Sequence, residues 1–312
     1  MYTAFARRFF VILFGCCLLV ACNDQGETVR VDLDKRVPSK ITEKPVATAA
    51  QIALGIGSMI TPKEGYIYYQ RLVDYLEKRL ATPVMAIDRG SYEEFNRLLK
   101  VGELDVAFVC GGPYVEGKDD FGLELLVVPE TLSGETVYYS YTIVPARSPA
   151  KSFADLRGKH FAFTDPMSNS GKLVPEYLLA KQGETPEIFF GKLSYTSAHD
   201  KSIHAVAAGE VDGAAVDSLI YEYLLRREPQ LAKKIRILER SAPYGIPPVV
   251  VRPNIPPQLR ERLRTVLLAM HQDPEGVLIL QGMMLRRFVA ADDAAYGTIR
   301  EMRDFVKNRS KR

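Results

Sequence analysis

One six-residue corner occurs twice in this chain, and it constrains the fold more than any other feature. GELDVA at residues 102–107 recurs as GEVDGA at residues 209–214, each time after a predicted helix and before an apolar strand. Glycine is expected to end each helix in a left-handed conformation, and the apolar residues then enter a sheet. Two such corners predict two similar lobes, each with its own sheet. Chance repetition of a common turn pattern is the alternative.

The order of predicted elements gives the fold class. The chain has 312 residues, of which 47% are hydrophobic, so it can bury a large core. Apolar strands at residues 51–56, 84–87 and 106–109 alternate with helices at 69–80 and 92–100. Such alternation is typical of an α/β protein. We therefore expect a two-lobed α/β fold in which each lobe is a mostly parallel sheet flanked by helices.

The lobe boundaries are predicted at two proline-rich segments, where the chain would cross from one lobe to the other. Lobe 1 is predicted to comprise residues 49–144 plus 245–312, and lobe 2 residues 145–244. The helices after residue 256 are expected to pack back on lobe 1. Two crossings make a hinge with a cleft between the lobes, which is the usual geometry of closure around a ligand.

Residues 1–22 are predicted to be a lipoprotein signal peptide. Arg7 and Arg8 precede an apolar run over residues 9–20, which is too short to span a bilayer comfortably. The run ends in LVAC, which resembles a bacterial lipobox and makes Cys22 the expected lipidated first residue; an uncleaved anchor is the alternative. Residues 23–48 are polar and are predicted to be a flexible tether. The protein is therefore expected in the periplasm, held by its lipid alone to a bacterial membrane, with the inner and outer membranes both open.

Cysteine and charge content exclude several functions. Only Cys110 remains outside the predicted signal peptide, so no intramolecular disulfide is expected. The formal net charge is +3. The sequence shows no basic stripe with interleaved aromatic residues, the pattern that would predict nucleic-acid binding. The chain lacks phosphate-loop, nucleophile-elbow, zinc-helix and CxxC motifs. Neither a cofactor nor a metal is expected.

The segment TDPMSNSGK at residues 164–172 is the strongest candidate for a binding loop. It joins a predicted buried strand at residues 159–163 to a predicted helix. Helix starts expose backbone N–H groups and the positive end of the helix dipole, so an anion can bind there. Serine and asparagine side chains add donors around the same point. A simple helix cap with spare serines is the alternative.

Several further segments resemble the periplasmic solute-binding proteins of phosphonate, phosphite and phosphate importers, the PhnD-like group. The resemblance covers roughly residues 50–300. It rests on the loop above, on FADLRGK at 153–159, on AHD at 198–200, on VDGAAVDS at 211–218 and on FVAADDAAY at 288–296. It implies a type II periplasmic binding protein that acts as a monomer, captures a small oxyanion and passes it to an ABC permease.

The resemblance also implies which residues bind the ligand. The Ser-x-Ser-Gly loop that holds the oxyanion corresponds to Ser168, Asn169, Ser170 and Gly171, with asparagine at the place where the group commonly has threonine. A histidine of the second lobe corresponds to His199. A surface histidine would be the alternative interpretation.

Three more residues complete the predicted site. An aspartate at the end of the second corner's strand corresponds to Asp217, and a carboxylate beside an oxyanion favours a monoprotonated ligand because it accepts the proton of a P–OH group. A helix cap is the alternative role. Tyr69 and Tyr114 of lobe 1 are the remaining predicted ligand-binding residues.

The chain departs from aminoalkylphosphonate binders of the group. Leu219 and Pro247 stand where those proteins carry acidic residues that bind the ammonium. Because an unpaired buried ammonium is unfavourable by several kcal/mol, aminoethylphosphonate is disfavoured. A small inorganic oxyanion or a larger, less polar solute fits better.

Three functions therefore remain. The first is an ABC-importer component for phosphate, phosphite or a simple alkylphosphonate, with no catalysis. The second is the same fold with a pocket reassigned to a bulkier, less polar solute or to sensing for a partner kinase. The third is a phosphoester hydrolase using Ser168 or Ser170, for which His199 is the one candidate base.

Overall fold

The described part of the chain begins just before the first predicted strand. A computed structural model describes residues 51–57, 62–87 and 91–309, with the side chains of residues 62–67 outside that description. The predicted signal peptide, the lipidation site Cys22 and the predicted tether lie outside the described residues. Within them, no helix is both long enough and apolar enough to cross a bilayer.

Strands and helices alternate along the described chain. The strands are β1 (Ile52–Ile56), β2 (Val84–Ile87), β3 (Val106–Phe108), β4 (Glu124–Thr131), β5 (Val137–Tyr138), β6 (Ser140–Pro145), β7 (His160–Phe163), β8 (Lys192–Tyr195), β9 (Gly213–Asp217), β10 (Ile235–Arg240), β11 (Tyr244–Gly245), β12 (Val249–Val251) and β13 (Leu285–Val289). The α-helices are α1 (Pro62–Leu80), α2 (Tyr92–Val101), α3 (Gly111–Phe121), α4 (Val174–Lys181), α5 (Pro186–Phe189), α6 (His199–Ala208), α7 (Ser218–Arg227), α8 (Pro257–Ala269), α9 (Pro274–Gly282) and α10 (Gly297–Arg309).

The first sheet forms lobe 1 and has the strand order β13-β4-β12-β3-β1-β2. β1 pairs in parallel with β2 and β3, as the alternation with helices predicts. β12 returns antiparallel between β3 and β4, and β13 pairs antiparallel with β4. The sheet is therefore mixed rather than mostly parallel, because only strands joined by crossover helices need to be parallel.

The second sheet forms lobe 2 and has the order β10-β6-β9-β7-β8. β7 is parallel to both β8 and β9, while β6 is antiparallel to β9 and β10. β6 already belongs to this sheet. The boundary between lobe 1 and lobe 2 therefore lies before β6, and not at residue 145 as predicted. An apolar run of this kind has the same pattern in either lobe, so the sequence does not say which sheet takes it.

The two crossings between the lobes run side by side. β5 and β11 form a short antiparallel ribbon in which Tyr138 pairs with Tyr244 and Val137 with Gly245. The return crossing lies where the sequence predicts it, at residues 244–245. This ribbon is the hinge region.

The repeated corner has one structure in both lobes. Gly102 ends α2 with a φ of 78°, and Gly209 ends α6 with a φ of 74°. The aspartate that follows accepts from the backbone of a neighbouring strand: Asp105 from the Ala53 N–H and Asp212 from the His160 N–H, each at 2.9 Å. The corner thus ends a helix and fixes the start of the adjacent strand by the same contacts in each lobe.

The C-terminal helix contacts both lobes. α8 and α9 pack on lobe 1, as predicted, but α10 also packs against α4 of lobe 2. Tyr177 of α4 meets Phe305 of α10 edge-on, with ring centroids 5.4 Å apart. Because α10 also packs on α3, the prediction that the late helices pack on lobe 1 agrees with the structure, and the contact of α10 with lobe 2 is one that the sequence did not indicate.

Candidate functional site

Three parallel strands of lobe 2 bring the candidate site together. β8, β7 and β9 are adjacent, so the segments that follow them meet at one edge of the sheet. A loop and a π-helical turn (Asn169–Leu173) follow β7, α6 begins at His199, and α7 begins directly after Asp217. The three predicted clusters of ligand-binding residues in lobe 2 are therefore neighbours.

The loop after β7 is built around a cap and a close approach. Ser168 caps the π turn, because its Oγ accepts from the Gly171 N–H at 3.0 Å. A Cβ on Gly171 would collide with the Thr164 hydroxyl, so glycine is required there. Ser168, Asn169 and Ser170 are buried. π turns often occur at functional sites, and this one directs three polar residues inward.

His199 is held in one tautomer. Its Nδ1 accepts the Asp217 backbone N–H at 3.0 Å, so the proton of the neutral ring lies on Nε2. Burial lowers the pKa of His199 to about 3. Nε2 has no hydrogen-bond partner among the described protein atoms. His199 is therefore a buried, uncharged donor and not a surface histidine.

Asp217 is both a helix cap and a free acceptor. Its Oδ1 accepts from the Leu219 N–H at 2.7 Å and caps α7, whereas Oδ2 is buried and has no partner within the described part of the chain. Burial raises the pKa of Asp217 to about 7, against the effect of backbone hydrogen bonds from Leu219 and Ile220. The cap role and the predicted ligand role are thus compatible, because each uses a different oxygen.

Ser170 is linked to Asp217 through one intervening residue. The Ser140 hydroxyl donates to the Ser170 carbonyl at 2.6 Å, and Ser140 is the cross-strand partner of Asp217 between β6 and β9. The Ser170 hydroxyl itself is buried and has no partner in the described part of the protein. Ser170, Asp217 and His199 are therefore joined by successive contacts.

Tyrosines of lobe 1 and of the hinge face the same carboxylate. Burial raises the pKa of Tyr92 and of Tyr138 well above the usual value, and the proximity of Cys110 and Asp217 adds to both effects. Tyr138 accepts from the Asn169 side-chain amide at 3.0 Å and lies 3.4 Å from the Cys110 sulfur. The site therefore has walls from both lobes.

Tyr69 lies at the edge of this group and is partly exposed. Burial raises its pKa to about 12, with smaller contributions from Tyr223 and Asp217. Its ring meets that of Phe108 edge-on at 5.9 Å. Tyr69 is consequently close enough to Asp217 for the carboxylate charge to raise the pKa of the tyrosine.

Tyr114 does not join the group. Its hydroxyl donates to Asp293, and its ring packs on Tyr296 with centroids 4.8 Å apart. One helical turn after Cys110, the side chain points toward the C-terminal segment and not toward Asp217. The structure therefore does not bring Tyr114 together with the other predicted residues, because position next to a strand end does not fix the direction of a helical side chain.

Buried polar atoms without partners are concentrated in this group. Among the described protein atoms, those in and around the site that lack a hydrogen bond are Tyr92 Oη, Thr164 Oγ1, Asn169 Oδ1, Ser170 Oγ, His199 Nε2 and Asp217 Oδ2. An unsatisfied buried polar group is unfavourable by about 1–3 kcal/mol, so native proteins seldom keep several together without a ligand to satisfy them. Within residues 51–57, 62–87 and 91–309, no three His, Cys, Asp or Glu side chains converge as a metal site.

The two lobes touch beside the site. The Asp165 carboxylate of lobe 2 accepts the Tyr92 N–H at the start of α2 at 3.2 Å. A Cβ on Gly112, at the start of α3, would collide with the Met167 carbonyl. The lobes are therefore closed against each other here, and the polar atoms above lie inside the closed cleft.

Sequence reasoning missed two of the tyrosines. Tyr92 is the first residue of α2, after the cap Ser91, and lies on the same buried face as Phe95 and Leu99, so its spacing alone indicates a core residue. Tyr138 lies in the hinge ribbon. A hydroxyl-bearing aromatic residue at a helix start next to a strand end is a signal that could have identified Tyr92, but nothing local distinguishes Tyr138.

The fold and the cleft define the class of protein: this is a type II periplasmic binding protein. A solved binding-protein component of an ABC phosphonate transporter from Pseudomonas aeruginosa superposes with a TM-score of 0.79 at 23% identity, covering 84% of this chain and 88% of that one. PhnD1 from Prochlorococcus marinus, solved in complex with methylphosphonate, gives a TM-score of 0.74 at 19% identity over 82% of this chain and 98% of that one.

The family is defined by sequence as well. Residues 54–296 match the family described as "ABC transporter, phosphonate, periplasmic substrate-binding protein", and the chain belongs to it. The Phosphonates-binding periplasmic protein of Escherichia coli strain K12 is 25% identical over 232 residues, which is 73% of this chain and 68% of that protein. The predicted resemblance and fold class are confirmed. The family consists of transport proteins that bind small phosphonates and work with an ABC permease.

Proposed function

We propose that this protein captures a phosphorus oxyanion (phosphate, phosphite or an alkylphosphonate) in the inter-lobe cleft and delivers it to an ABC permease. The observation that carries the proposal is the group of buried polar atoms without partners around Asp217. Ser170 Oγ and His199 Nε2 supply free donors beside the π turn, whereas the Asn169 side-chain N–H already donates to Tyr138. Such neutral donors in a closed cleft suit a tetrahedral anion.

The protonation of the site selects among oxyanions. None of the residues in this group is a Lys or Arg, His199 is neutral, and Asp217 presents a free carboxylate oxygen. A fully ionised anion would meet that carboxylate with repulsion, whereas a P–OH group can donate to it. The site therefore favours a ligand that shares one proton with Asp217, and it disfavours sulfate and sulfonates.

Hydrolysis fits the contacts poorly. A serine nucleophile needs an adjacent base, and His199 is the candidate. The Nδ1 of His199 is already bonded to the Asp217 N–H, which leaves Nε2 protonated and unable to accept a proton from Ser170. Binding without turnover is therefore the better interpretation.

Location and partners complete the proposal. Family membership supports a periplasmic protein that works with an ABC permease. The signal peptide and the acylated Cys22 remain proposals based on the sequence of residues 1–22, as does action as a monomer.

Thermal shift at pH 8, where Asp217 is mainly ionised, tests the function directly. Phosphate, phosphite and methylphosphonate are added at millimolar concentration, with methanesulfonate as the control of similar shape that lacks the acidic proton. At least one phosphorus ligand should raise the melting temperature, since a ligand at 100 times its Kd stabilises by about 2.7 kcal/mol. Failure of all three, or an equal shift with methanesulfonate, would contradict the proposal.

A further inference from the structure

A cavity of 280 Å³ lies between the lobes beside the polar group. Its walls come from α1, β3, the end of β4, α7, the hinge and the segment between α9 and β13. The apolar lining includes Tyr69, Phe108, Leu219, Pro247, Met283 and Leu285. Large aromatic and aliphatic surfaces of this kind select an apolar occupant.

The cavity begins where the polar group ends. Leu219 lines it, and the Leu219 N–H is bonded to Asp217 Oδ1 at 2.7 Å. Tyr69 lines it too and is close enough to Asp217 for the carboxylate to raise its pKa. Phe108 is the last residue of β3, two residues before Cys110, whose sulfur lies 3.4 Å from Tyr138 Oη. The cavity and the polar group are therefore adjacent, with Leu219 and Tyr69 between them.

The charged residues that line the cavity favour neither a cationic nor an anionic ligand group. Glu222 and Arg226 are one helical turn apart on α7, and both line the cavity. One oxygen of Glu222 accepts the Tyr141 hydroxyl at 3.0 Å. Because the two charges are opposite, they give the cavity no net charge to attract an ammonium or a carboxylate.

From this adjacency we infer that the ligand is an organophosphorus compound with an uncharged, mainly apolar substituent at least as large as an aromatic ring. The inference rests on the proposed function and identifies its substrate class. Three oxygens of a tetrahedral phosphorus engage the polar group, and the fourth substituent then enters the cavity. Inorganic phosphate would direct a hydroxyl at apolar walls, and a methyl group would leave most of the cavity unfilled.

Calorimetry with three ligands of one headgroup tests this: methylphosphonate, phenylphosphonate and 2-aminoethylphosphonate. Phenylphosphonate should bind at least tenfold more tightly than methylphosphonate, because its ring is removed from water. The aminated ligand should bind no more tightly than methylphosphonate. Equal affinity for phenylphosphonate and methylphosphonate, or preference for the ammonium, would overturn the inference while leaving the oxyanion function intact.

Two matched variants test where the aromatic ring of phenylphosphonate binds. Met283→Gln keeps the side chain's length but makes this wall polar, and should remove most of the preference for phenylphosphonate without changing affinity for methylphosphonate. Leu278→Gln is the control, since Leu278 lies on α9 but is 64% exposed and outside the cavity. A preference that survives Met283→Gln would place the ring elsewhere and overturn the inference. If none of the three ligands binds the wild-type protein, the proposed function fails and the inference fails with it.

Discussion

Asp217 is the residue on which the proposed specificity of the site depends. One of its oxygens is fixed as the cap of α7 and the other is buried without a protein partner. Since its pKa is about 7, the carboxyl group changes charge near neutral pH. A phosphorus ligand with one remaining proton can satisfy this oxygen.

Replacing Asp217 by Asn should stabilise the ligand-free protein at pH 8. The folded pKa is about 7, above the ordinary value of about 3.9. The stability that this group contributes is therefore fully present below about pH 3.9 and is lost as pH rises through 7. The asparagine side chain can still accept the Leu219 N–H hydrogen bond that caps α7. Thermal denaturation should show a gain of about 1–4 kcal/mol at pH 8 that shrinks toward pH 4. An unchanged or lower melting temperature at pH 8 would be inconsistent with this burial.

The same variant should change the pH dependence of binding. In the wild-type protein the complex holds one proton between Asp217 and the ligand, so above about pH 8 binding must take up a proton. Its Kd for methylphosphonate should then rise by about tenfold per pH unit. Asp217→Asn, which donates from its amide, should flatten this profile between pH 8 and 9.5. Identical slopes in calorimetric titrations would show that Asp217 does not share the ligand's proton.

Two serines of the binding loop should have separable roles. Ser170→Ala removes a donor without a protein partner, so it should weaken methylphosphonate binding by about ten- to a hundredfold and leave the melting temperature nearly unchanged. Ser168→Ala removes the cap on the Gly171 N–H and should lose about 0.5–2 kcal/mol of stability. Calorimetry and thermal melts of the two variants, side by side, measure both effects. A reversed pattern would assign the ligand contact to Ser168.

Residues differed in how far the sequence could predict them. The binding loop, His199 and Asp217 were placed by motifs that keep their local setting, at helix starts after strands. Tyr138 has no local signal, and Tyr92 has the spacing of a core residue, because the fold alone brings lobe 1 and the hinge close to Asp217. Tyr114 does not join the group for a related reason: the direction of its side chain depends on the rotation of α3.

At the scale of elements, the site depends on segments that follow three parallel strands of lobe 2. The turn after β7 is the tightest of these, since Gly171 lies against Thr164. The alternation of strands and helices and the repeated corner were sufficient to predict this arrangement. The antiparallel strands β6 and β12 were harder to assign, because a short apolar run does not reveal which sheet or direction it will take.

Gly171→Ala should disrupt the π turn. The added methyl group must displace Thr164 or the turn itself, so we expect a loss of about 1–3 kcal/mol and at least tenfold weaker methylphosphonate binding. Gly297→Ala is the control: Gly297 begins α10 and a Cβ there would meet open space, so this variant should be neutral or slightly stabilising. Melting temperatures and calorimetric titrations of these two variants test the prediction. Normal binding by Gly171→Ala would show that the turn can relax without affecting the site.

At the scale of the whole molecule, two lobes joined by the β5–β11 ribbon close over the polar group. Contacts across the cleft, such as the Asp165 carboxylate with the Tyr92 N–H, belong to this closed arrangement. α10 adds a contact between lobes away from the hinge. The sequence predicted two lobes and two crossings, but not a helix shared between the lobes, because a helix's own pattern does not say how many neighbours its apolar face meets.

Membrane attachment is predicted to depend on one residue. Arg7, Arg8, the apolar run at residues 9–20 and the LVAC segment predict that Cys22 is acylated. Two acyl chains give stable anchoring where one is marginal. Cys22→Ser should release the protein into the soluble periplasmic fraction, as judged by immunoblotting of separated membranes. Equal retention of the variant in membranes would rule out the lipobox.

The central claim is that one phosphorus oxyanion is held between Ser170, His199 and Asp217. A crystal structure with methylphosphonate tests it most directly. We predict phosphonate oxygens within about 3.2 Å of Ser170 Oγ, His199 Nε2 and Asp217 Oδ2, with the carbon substituent directed at the cavity beside Leu219. A phosphonate bound elsewhere, or one whose oxygens leave His199 Nε2 and Asp217 Oδ2 without partners, would contradict the account.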